Sequence, residues 1–202
     1  MRNNLDLKLW QSSTLFCGVD EVGRGALAGP VVAAAVILPP HTEIDGADDS
    51  KRLTPLQRRR LEPEIKRRSQ AWAVAGASHR FIERHNIANA TFQAMRLAVR
   101  RLGLRPELAL ADGWPIPGLG LPCDGIIHGD SRSLSIACAS ILAKVWRDRL
   151  MARLSCRYPD YGFDRHKGYG TPAHIRALHE HGPSPIHRRT FAPVRDLIAT
   201  PQ

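Results

Sequence analysis

The sequence predicts an α/β protein in which a mixed five-stranded sheet is flanked by helices. Short apolar segments with strand character alternate along the chain with longer segments that repeat apolar residues at helical spacing. Three of the predicted strands end on an acidic residue, namely Asp20, Asp112 and Asp130. With 43% apolar residues, the 202-residue chain can form one domain with a full core.

The first half begins with two buried strands, residues 14–20 and 31–38, which a glycine-rich turn should join into a hairpin. A polar loop follows. Thr54 as a cap, Pro55 at the first helical position and Gln57 at the third then predict a basic helix. Pro63 should kink or interrupt that helix, because proline removes a backbone donor.

The second half alternates strands and helices before its composition changes. Asn86 should open a helix that runs to Gly103, and the predicted strands and core helix are residues 71–78, 108–112, 125–130 and 134–154. From residue 157 onward Pro, Gly, His and Arg predominate, which predicts a surface-wrapping tail with one helix, residues 172–181. We therefore expect a main domain, residues 1–156, with a basic C-terminal appendage, residues 157–202, packed on it.

The charge balance favours nucleic acid as the partner. Twenty-nine Lys and Arg against 19 Asp and Glu give a net charge of +10, although a basic surface alone does not prove the partner. The four cysteines form no C-x-x-C pair, and the longest apolar run is too short to span a bilayer. We expect a cytoplasmic protein with reduced thiols, no membrane association and a monomeric state.

Two adjacent acids, Asp20 and Glu21, precede a glycine-rich turn. Successive strand residues point to opposite faces, so both acids can reach one site only where the strand ends or bulges. Gly23 and Gly25 supply that freedom and let a ligand approach the backbone, and Arg24 offers a forked cation for phosphate. A P-loop is excluded because the G-K-[ST] ending is missing. An ordinary acidic hairpin remains an equal alternative for this stretch taken alone.

Acids at several strand ends favour a metal site. Asp112 alone would be a turn residue and Asp130 alone a helix cap, but strand ends converge at one edge of an α/β sheet. Carboxylates gathered there would repel one another unless cations neutralise them, and an oxygen-only ligand set favours Mg²⁺ or Mn²⁺. Two such ions can promote in-line displacement at a phosphodiester, so the pattern predicts nucleic-acid hydrolysis.

Seven motifs, in this order along nearly the whole chain, resemble those of bacterial ribonuclease HII. They are Asp20 to Gly25, Asp49 to Leu53, Asn86 to Met95, Asp112-Gly113, Gly129-Asp130, Ala139 to Asp148, and His166 to Thr171. The resemblance implies the ribonuclease H fold, with residues 1–156 as its catalytic domain.

The resemblance also implies roles for individual residues. Asp20, Glu21, Asp112 and Asp130 match the catalytic acids that bind Mg²⁺ or Mn²⁺. The matching substrate-binding residues are Gly23, Arg24 and Gly25, which read a ribose 2′-OH, Tyr169, which packs on the neighbouring sugar, and Lys51, which contacts phosphate. The implied reaction is incision on the 5′ side of a ribonucleotide in an RNA–DNA hybrid, or at a single ribonucleotide embedded in duplex DNA, leaving 3′-OH and 5′-phosphate ends.

Several other residues have two interpretations. Lys144 and Arg147 could contact phosphate, but we expect a solvated helix face, with Asp148 in an ion pair beside Arg147 and Arg149. Residues 187–189 could bind nucleic acid or fold back on the body. We expect His174, His179 and His181 at the surface, and Trp114 packed in a proline-rich loop. The competing functions are a DNA nuclease of the same fold and a non-catalytic protein that coats nucleic acid.

Overall fold

The computed structural model describes residues 4–47 and 53–199, so Lys51 and most of the polar loop lie outside the described residues. A five-stranded sheet has the order β3-β2-β1-β4-β5. The strands are β1 (Phe16–Val22), β2 (Val31–Ile37), β3 (Ala71–Ala77), β4 (Leu108–Asp112) and β5 (Cys123–Ile126). The predicted mixed α/β sheet is confirmed.

The pairing brings three strand ends to one edge. β1 pairs antiparallel with β2, as the predicted hairpin requires, and β2 pairs antiparallel with β3. β1 pairs parallel with β4, and β4 with β5, so the carboxyl ends of β1, β4 and β5 lie on the same side. Val19 of β1 pairs with Ala111 of β4, and Asp20 and Asp112 are the residues that follow directly on these two strands.

Seven α-helices surround the sheet within the described part of the chain. They are α1 (Asn4–Gln11), α2 (Pro55–Arg68), α3 (His79–Arg100), α4 (Leu134–Arg157), α5 (Phe163–His166), α6 (Pro172–His181) and α7 (Val194–Ala199). α3 contributes to the core on one face of the sheet and α4 to the core on the other. No helix among residues 4–47 and 53–199 is long and apolar enough to cross a membrane.

The start of α4 is held by α1. The carboxylate of buried Asp6 accepts hydrogen bonds from the backbone N and the hydroxyl of Ser135, both at 2.9 Å. Ser133 caps the same helix by accepting from the N–H of Ile136. These contacts satisfy donors that a helix N-terminus leaves open, and they tie the start of α4 to α1.

Two predicted helix starts are right in their local chemistry. Thr54 and Gln57 form the expected capping box, but α2 continues through Pro63, so the predicted interruption does not occur. Asn86 does cap a helix, since its side chain accepts from the N–H of Asn89 at 3.0 Å. The sequence interpretation missed the preceding helical segment, which Ser78 caps, and the two segments meet at a non-helical Asn86 with φ of 64°.

The predicted fifth strand is too long. β5 ends at Ile126, and Asp130 lies in a separate 3₁₀ turn, Gly129–Ser131. Left-handed His128, with φ of 55°, turns the chain, and the N–H of Gly129 donates to Asp112 Oδ1 at 2.7 Å. Asp130 therefore reaches the sheet edge from a turn and not from a strand end.

The C-terminal appendage contains more structure than predicted. Besides α6, it holds α5, α7 and a 3₁₀ turn, Pro159–Tyr161. Tyr161 and Phe163 form a small buried cluster with Ala28 of the main body. This segment packs on the body near the turn that follows β1, and it thereby becomes part of the site described next.

Candidate active site

Three carboxylates meet at the common strand edge. One oxygen each of Asp20, Asp112 and Asp130 lies within 4.8 Å of the other two. Asp20 and Asp130 are buried, and Asp112 is half-buried. The residues come from β1, the end of β4 and the turn after β5, so only the folded sheet brings them together.

Glu21 lines the same cleft as Asp20 and Asp112. Its backbone N donates to Asp20 Oδ1 at 2.6 Å, and its carboxylate lies 3.3 Å from Arg24 Nη1. The cleft has a volume of about 280 Å³, and it is also lined by Gly23, Arg24, Gly25, Ser140, Lys144 and Tyr169. The structure thus brings together every predicted site residue that it describes.

Burial and mutual repulsion make the acids resist ionisation. Burial raises the pKa of Asp20 well above its ordinary value, the charges of Glu21 and Asp112 raise it further, and a hydrogen bond with Ser140 opposes the shift. Burial also raises the pKa of Glu21, against the lowering effect of Arg24. A divalent cation would relieve this repulsion, and a donor set of carboxylate oxygens is the kind that Mg²⁺ and Mn²⁺ accept.

Two buried arginines support the glycine turn after β1. Gly23 has φ of 90°, and a Cβ there would lie 2.2 Å from Arg147 Nε, so no larger side chain fits. Arg147 donates to the carbonyl oxygens of Ala28 and Pro30 and to that of Lys167. Its guanidinium lies 5.5 Å from the ring of Tyr169.

Arg188 supplies the second support for this turn. Its guanidinium donates to the carbonyl oxygens of Gly23 and Arg24, each at 2.6 Å, and of Gly29 at 3.0 Å. The sequence interpretation left the 187–189 cluster open between nucleic-acid binding and folding back. His187 and Arg188 are buried in the body, and Arg189 is exposed.

The expectations for the cations on α4 need correction. Arg147 is fully buried, so it lies on no solvated face and cannot reach a substrate phosphate. Lys144 lines the cleft and bonds Asp148 at 2.6 Å. Asp148 does form an ion pair, but with Lys144 and Arg58 in place of its chain neighbours, because the i to i+4 spacing brings Lys144 onto its face.

Two other expectations are wrong. His174 is buried, because α6 turns that side of its surface toward the body, while His179 and His181 are exposed as predicted. Trp114 does not pack in the proline loop; its side chain is 75% exposed beside Asp112. Ser140 was given no role of its own, although its spacing from Lys144 on α4 could have placed both on the cleft side.

Comparison with known proteins identifies this arrangement. The family model for ribonuclease HII matches residues 17–194. The chain belongs to the ribonuclease HII family. Ribonuclease HII of Dechloromonas aromatica strain RCB is 54% identical over 180 residues, which cover 89% of this chain and 92% of the relative. Ribonuclease HII of Idiomarina loihiensis is 49% identical over 185 residues, covering 92% and 99%.

Solved structures agree with the family assignment. Ribonuclease H2 from Pyrococcus horikoshii OT3 superposes with a TM-score of 0.77 at 26% identity, covering 90% of this chain and 96% of the relative. Ribonuclease HII from Archaeoglobus fulgidus, solved in complex with PCNA, gives 0.73 at 26% identity, covering 88% and 95%. The predicted ribonuclease H fold and family are confirmed. As a ribonuclease HII, the chain is a nuclease that acts on RNA–DNA hybrids, and its carboxylate cluster fits the metal dependence of the family.

Proposed function

We propose that the chain is a Mg²⁺- or Mn²⁺-dependent endoribonuclease that incises on the 5′ side of ribonucleotides, including a single ribonucleotide embedded in duplex DNA. The products are 3′-OH and 5′-phosphate ends, and the enzyme acts as a monomer in the cytoplasm. The observation that carries the proposal is one cleft that combines an acid cluster with a glycine turn and a tyrosine.

Asp20, Glu21, Asp112 and Asp130 are the residues proposed to hold the ions. When bound, divalent ions would activate the attacking water and stabilise the charge on the leaving oxygen. The chain contributes a rigid frame for this chemistry. Gly129 fixes the Asp112 carboxylate, and the backbone of Glu21 fixes that of Asp20, so two acids are oriented before substrate arrives.

Gly23, Arg24, Gly25 and Tyr169 are proposed to recognise the ribonucleotide. A 2′-OH both donates and accepts hydrogen bonds, so exposed backbone groups can distinguish it from the hydrogen of a deoxyribose. The glycines leave that backbone uncovered, and Tyr169 lines the opposite part of the same cleft, where its ring can pack on a sugar. Lys51, whose position lies outside the described residues, keeps its proposed phosphate contact.

A basic groove next to the cleft supports a duplex substrate. Lys144 lines both depressions, and the adjoining groove is also lined by Arg58, Arg59, Arg149, Arg165 and Lys167. Cations along such a path neutralise backbone phosphates without reading sequence. A duplex centred on the acid cluster could therefore continue over this groove.

The test is a nicking assay on matched duplexes. One duplex contains a single ribonucleotide, a second is all DNA, and each is incubated with Mg²⁺, with Mn²⁺ or with excess EDTA. We expect one metal-dependent nick on the 5′ side of the ribonucleotide and none in the all-DNA duplex. Cleavage of both duplexes would favour a DNA nuclease of the same fold, and binding without cleavage would favour a non-catalytic protein.

A further inference from the structure

We propose that His187 and Arg188 of the C-terminal appendage are positioning residues that together set the backbone geometry of the ribonucleotide-reading surface. Arg188 acts on the turn of Gly23, Arg24 and Gly25, and His187 acts through His174 on Tyr169. The inference rests on the proposed function, because it concerns how that surface distinguishes ribose from deoxyribose.

Arg188 determines which way the peptide groups of the turn point. Its guanidinium binds the carbonyl oxygens of Gly23 and Arg24. In a trans peptide the N–H points opposite to the C=O, so the N–H groups of Arg24 and Gly25 must point away from buried Arg188. Among the described backbone groups neither N–H has a hydrogen-bond acceptor. Both donors are thus left for a ligand on the side where the turn lines the cleft.

The appendage is held in register with the body at this position. Arg188 N donates to Leu27 O at 2.8 Å, and Gly29 N donates to Ile186 O at 2.9 Å. His187 lies opposite Ala28 in an isolated antiparallel bridge. These bonds run along the segment that continues from the glycine turn, so they place the Arg188 side chain directly beneath it.

His187 begins a chain of hydrogen bonds that ends on Tyr169. The Nδ1 of His187 lies 2.9 Å from Ser184 N, its Nε2 lies 3.0 Å from His174 Nε2, and His174 Nδ1 lies 2.9 Å from Tyr169 O. The two ends fix the proton positions. The backbone carbonyl oxygen of Tyr169 can only accept, so His174 Nδ1 donates to it. The backbone N–H of Ser184 can only donate, so His187 Nδ1 accepts from it. His187 Nε2–H must then donate to His174 Nε2, and both rings are neutral.

A third histidine, His166, stabilises the same loop. His166 Nε2 donates to Tyr161 O at 2.7 Å, its Nδ1 accepts from Gly168 N at 3.2 Å, and its ring stacks on His174 at 4.3 Å. The backbone on both sides of the Gly168–Tyr169 peptide is therefore tied to imidazoles with defined proton positions. Burial lowers the pKa of His174 and of His187 to about 4 each, which keeps the relay neutral at pH 7.

A contribution to stability does not explain why a buried arginine stands at position 188. It is fully buried, and among residues 4–47 and 53–199 no carboxylate lies within ion-pair distance of it. Its partners are neutral, namely three carbonyl groups and the ring of Phe191, 5.1 Å from the guanidinium, so they offset only part of the cost of burying its charge. Its geometric effect is specific, however, because one planar fork fixes three carbonyls of a single turn.

The experiment compares binding selectivity in a cleavage-inactive D20N background. Fluorescence anisotropy gives the Kd for an all-DNA duplex and for the same duplex with one ribonucleotide. The Kd for the all-DNA duplex divided by the Kd for the ribonucleotide-containing duplex measures ribose discrimination. We expect R188K to lower this ratio about tenfold, the value of roughly one good hydrogen bond, and R188M to lower it further. H187Q, which retains a donor near the Nε2 position, should keep most of the ratio, whereas H187L should lose it.

The matched control is R189M, which removes the same charge one residue away from an exposed side chain. It should weaken binding of both duplexes equally and leave their ratio unchanged. Thermal melting and Mn²⁺ titration in the otherwise wild-type chain verify folding and the acid site. If R188M fails to fold, R188K carries the test. Equal weakening of both duplexes by R188K would overturn the inference. A ratio of one in the D20N parent would instead contradict the proposed ribose recognition itself.

Discussion

At the scale of single residues, the acid cluster opposes folding in the absence of cations. Asp20 is buried beside two other acids, and its raised pKa reflects the cost of holding its charge there. Such an arrangement is typical of functional sites, where electrostatic strain is retained for chemistry. Substitution of an acid should therefore affect activity and stability in opposite directions.

Asp20→Asn should lower the cleavage rate at a single ribonucleotide by about a hundredfold or more, because it removes a proposed metal ligand worth several kcal/mol of charge stabilisation. Metal-free thermal stability should stay level or rise, since a buried charge is removed. Single-turnover cleavage and thermal melting in EDTA measure the two effects. Asp124→Asn, at an exposed position on β5, is the control and should change neither. Retained cleavage in D20N would contradict the proposed role of Asp20 as a metal ligand.

Tyr169→Ala should lower the cleavage rate at a single ribonucleotide about tenfold, because the ring that lines the cleft beside the turn is lost. Tyr169→Phe keeps the ring and should retain most of the activity. Mn²⁺ titration should give the same affinity in both variants, as neither removes an acid. An alanine variant with unchanged kcat/KM would refute the recognition role.

At the scale of elements, local signals in the sequence predicted β1, β2 and the start of α2, because continuous apolar runs and capping chemistry are short-range. The sequence interpretation placed Asp130 at the correct edge of the sheet but in a strand, whereas it lies in a turn. That turn, at His128, depends on the bond between Gly129 and Asp112, which lie in two separate segments of the sequence. For Arg188 the sequence left nucleic-acid binding and folding back on the body open for the same reason, since its partners lie about 160 positions earlier. Contacts of that kind arise only from the tertiary structure.

The contact of β1 with α4 yields an element-scale prediction. A Cβ on Gly18 would lie 2.2 Å from the backbone carbon of Ser135, so Gly18→Ala should force the core helix away from the strand. We expect the free energy of unfolding to fall by about 1–3 kcal/mol, the usual cost of overpacking. Urea denaturation measures it. Gly103→Ala meets nothing within 4 Å and should stay within about 0.5 kcal/mol of the parent.

At the scale of the whole molecule, the two sides of the cleft come from distant parts of the chain, and the appendage joins them. Arg188 contacts the turn after β1, and the histidine relay contacts the loop before α6. The predicted division at residue 156 stays a prediction, but these bonds make the appendage a structural part of the cleft that we propose reads the ribonucleotide. Its packing should accordingly respond to the protonation of the relay.

Acidification should destabilise the fold through His174 and His187. Both have pKa values lowered to about 4 by burial, against 6.5 for the ordinary group, and neighbouring His174, then His166 and His79, add to the lowering of the pKa of His187. Between pH 6.5 and 4 the unfolded chain therefore binds more protons than the folded one, so stability falls as pH falls. The buried acids with raised pKa values act in the opposite direction, so a total melting curve would mix the two effects.

A difference measurement separates them. His187→Gln removes one titrating imidazole and leaves the acids in place, so the stability advantage of the parent over H187Q should be greatest above pH 6.5 and shrink steadily toward pH 4. Thermal melting of both proteins in EDTA, at half-unit pH steps, records the gap. His179→Gln, exposed on the same helix as His174, is the control and should give a curve parallel to the parent. A constant gap between parent and H187Q would mean that the relay does not stay neutral in the folded chain.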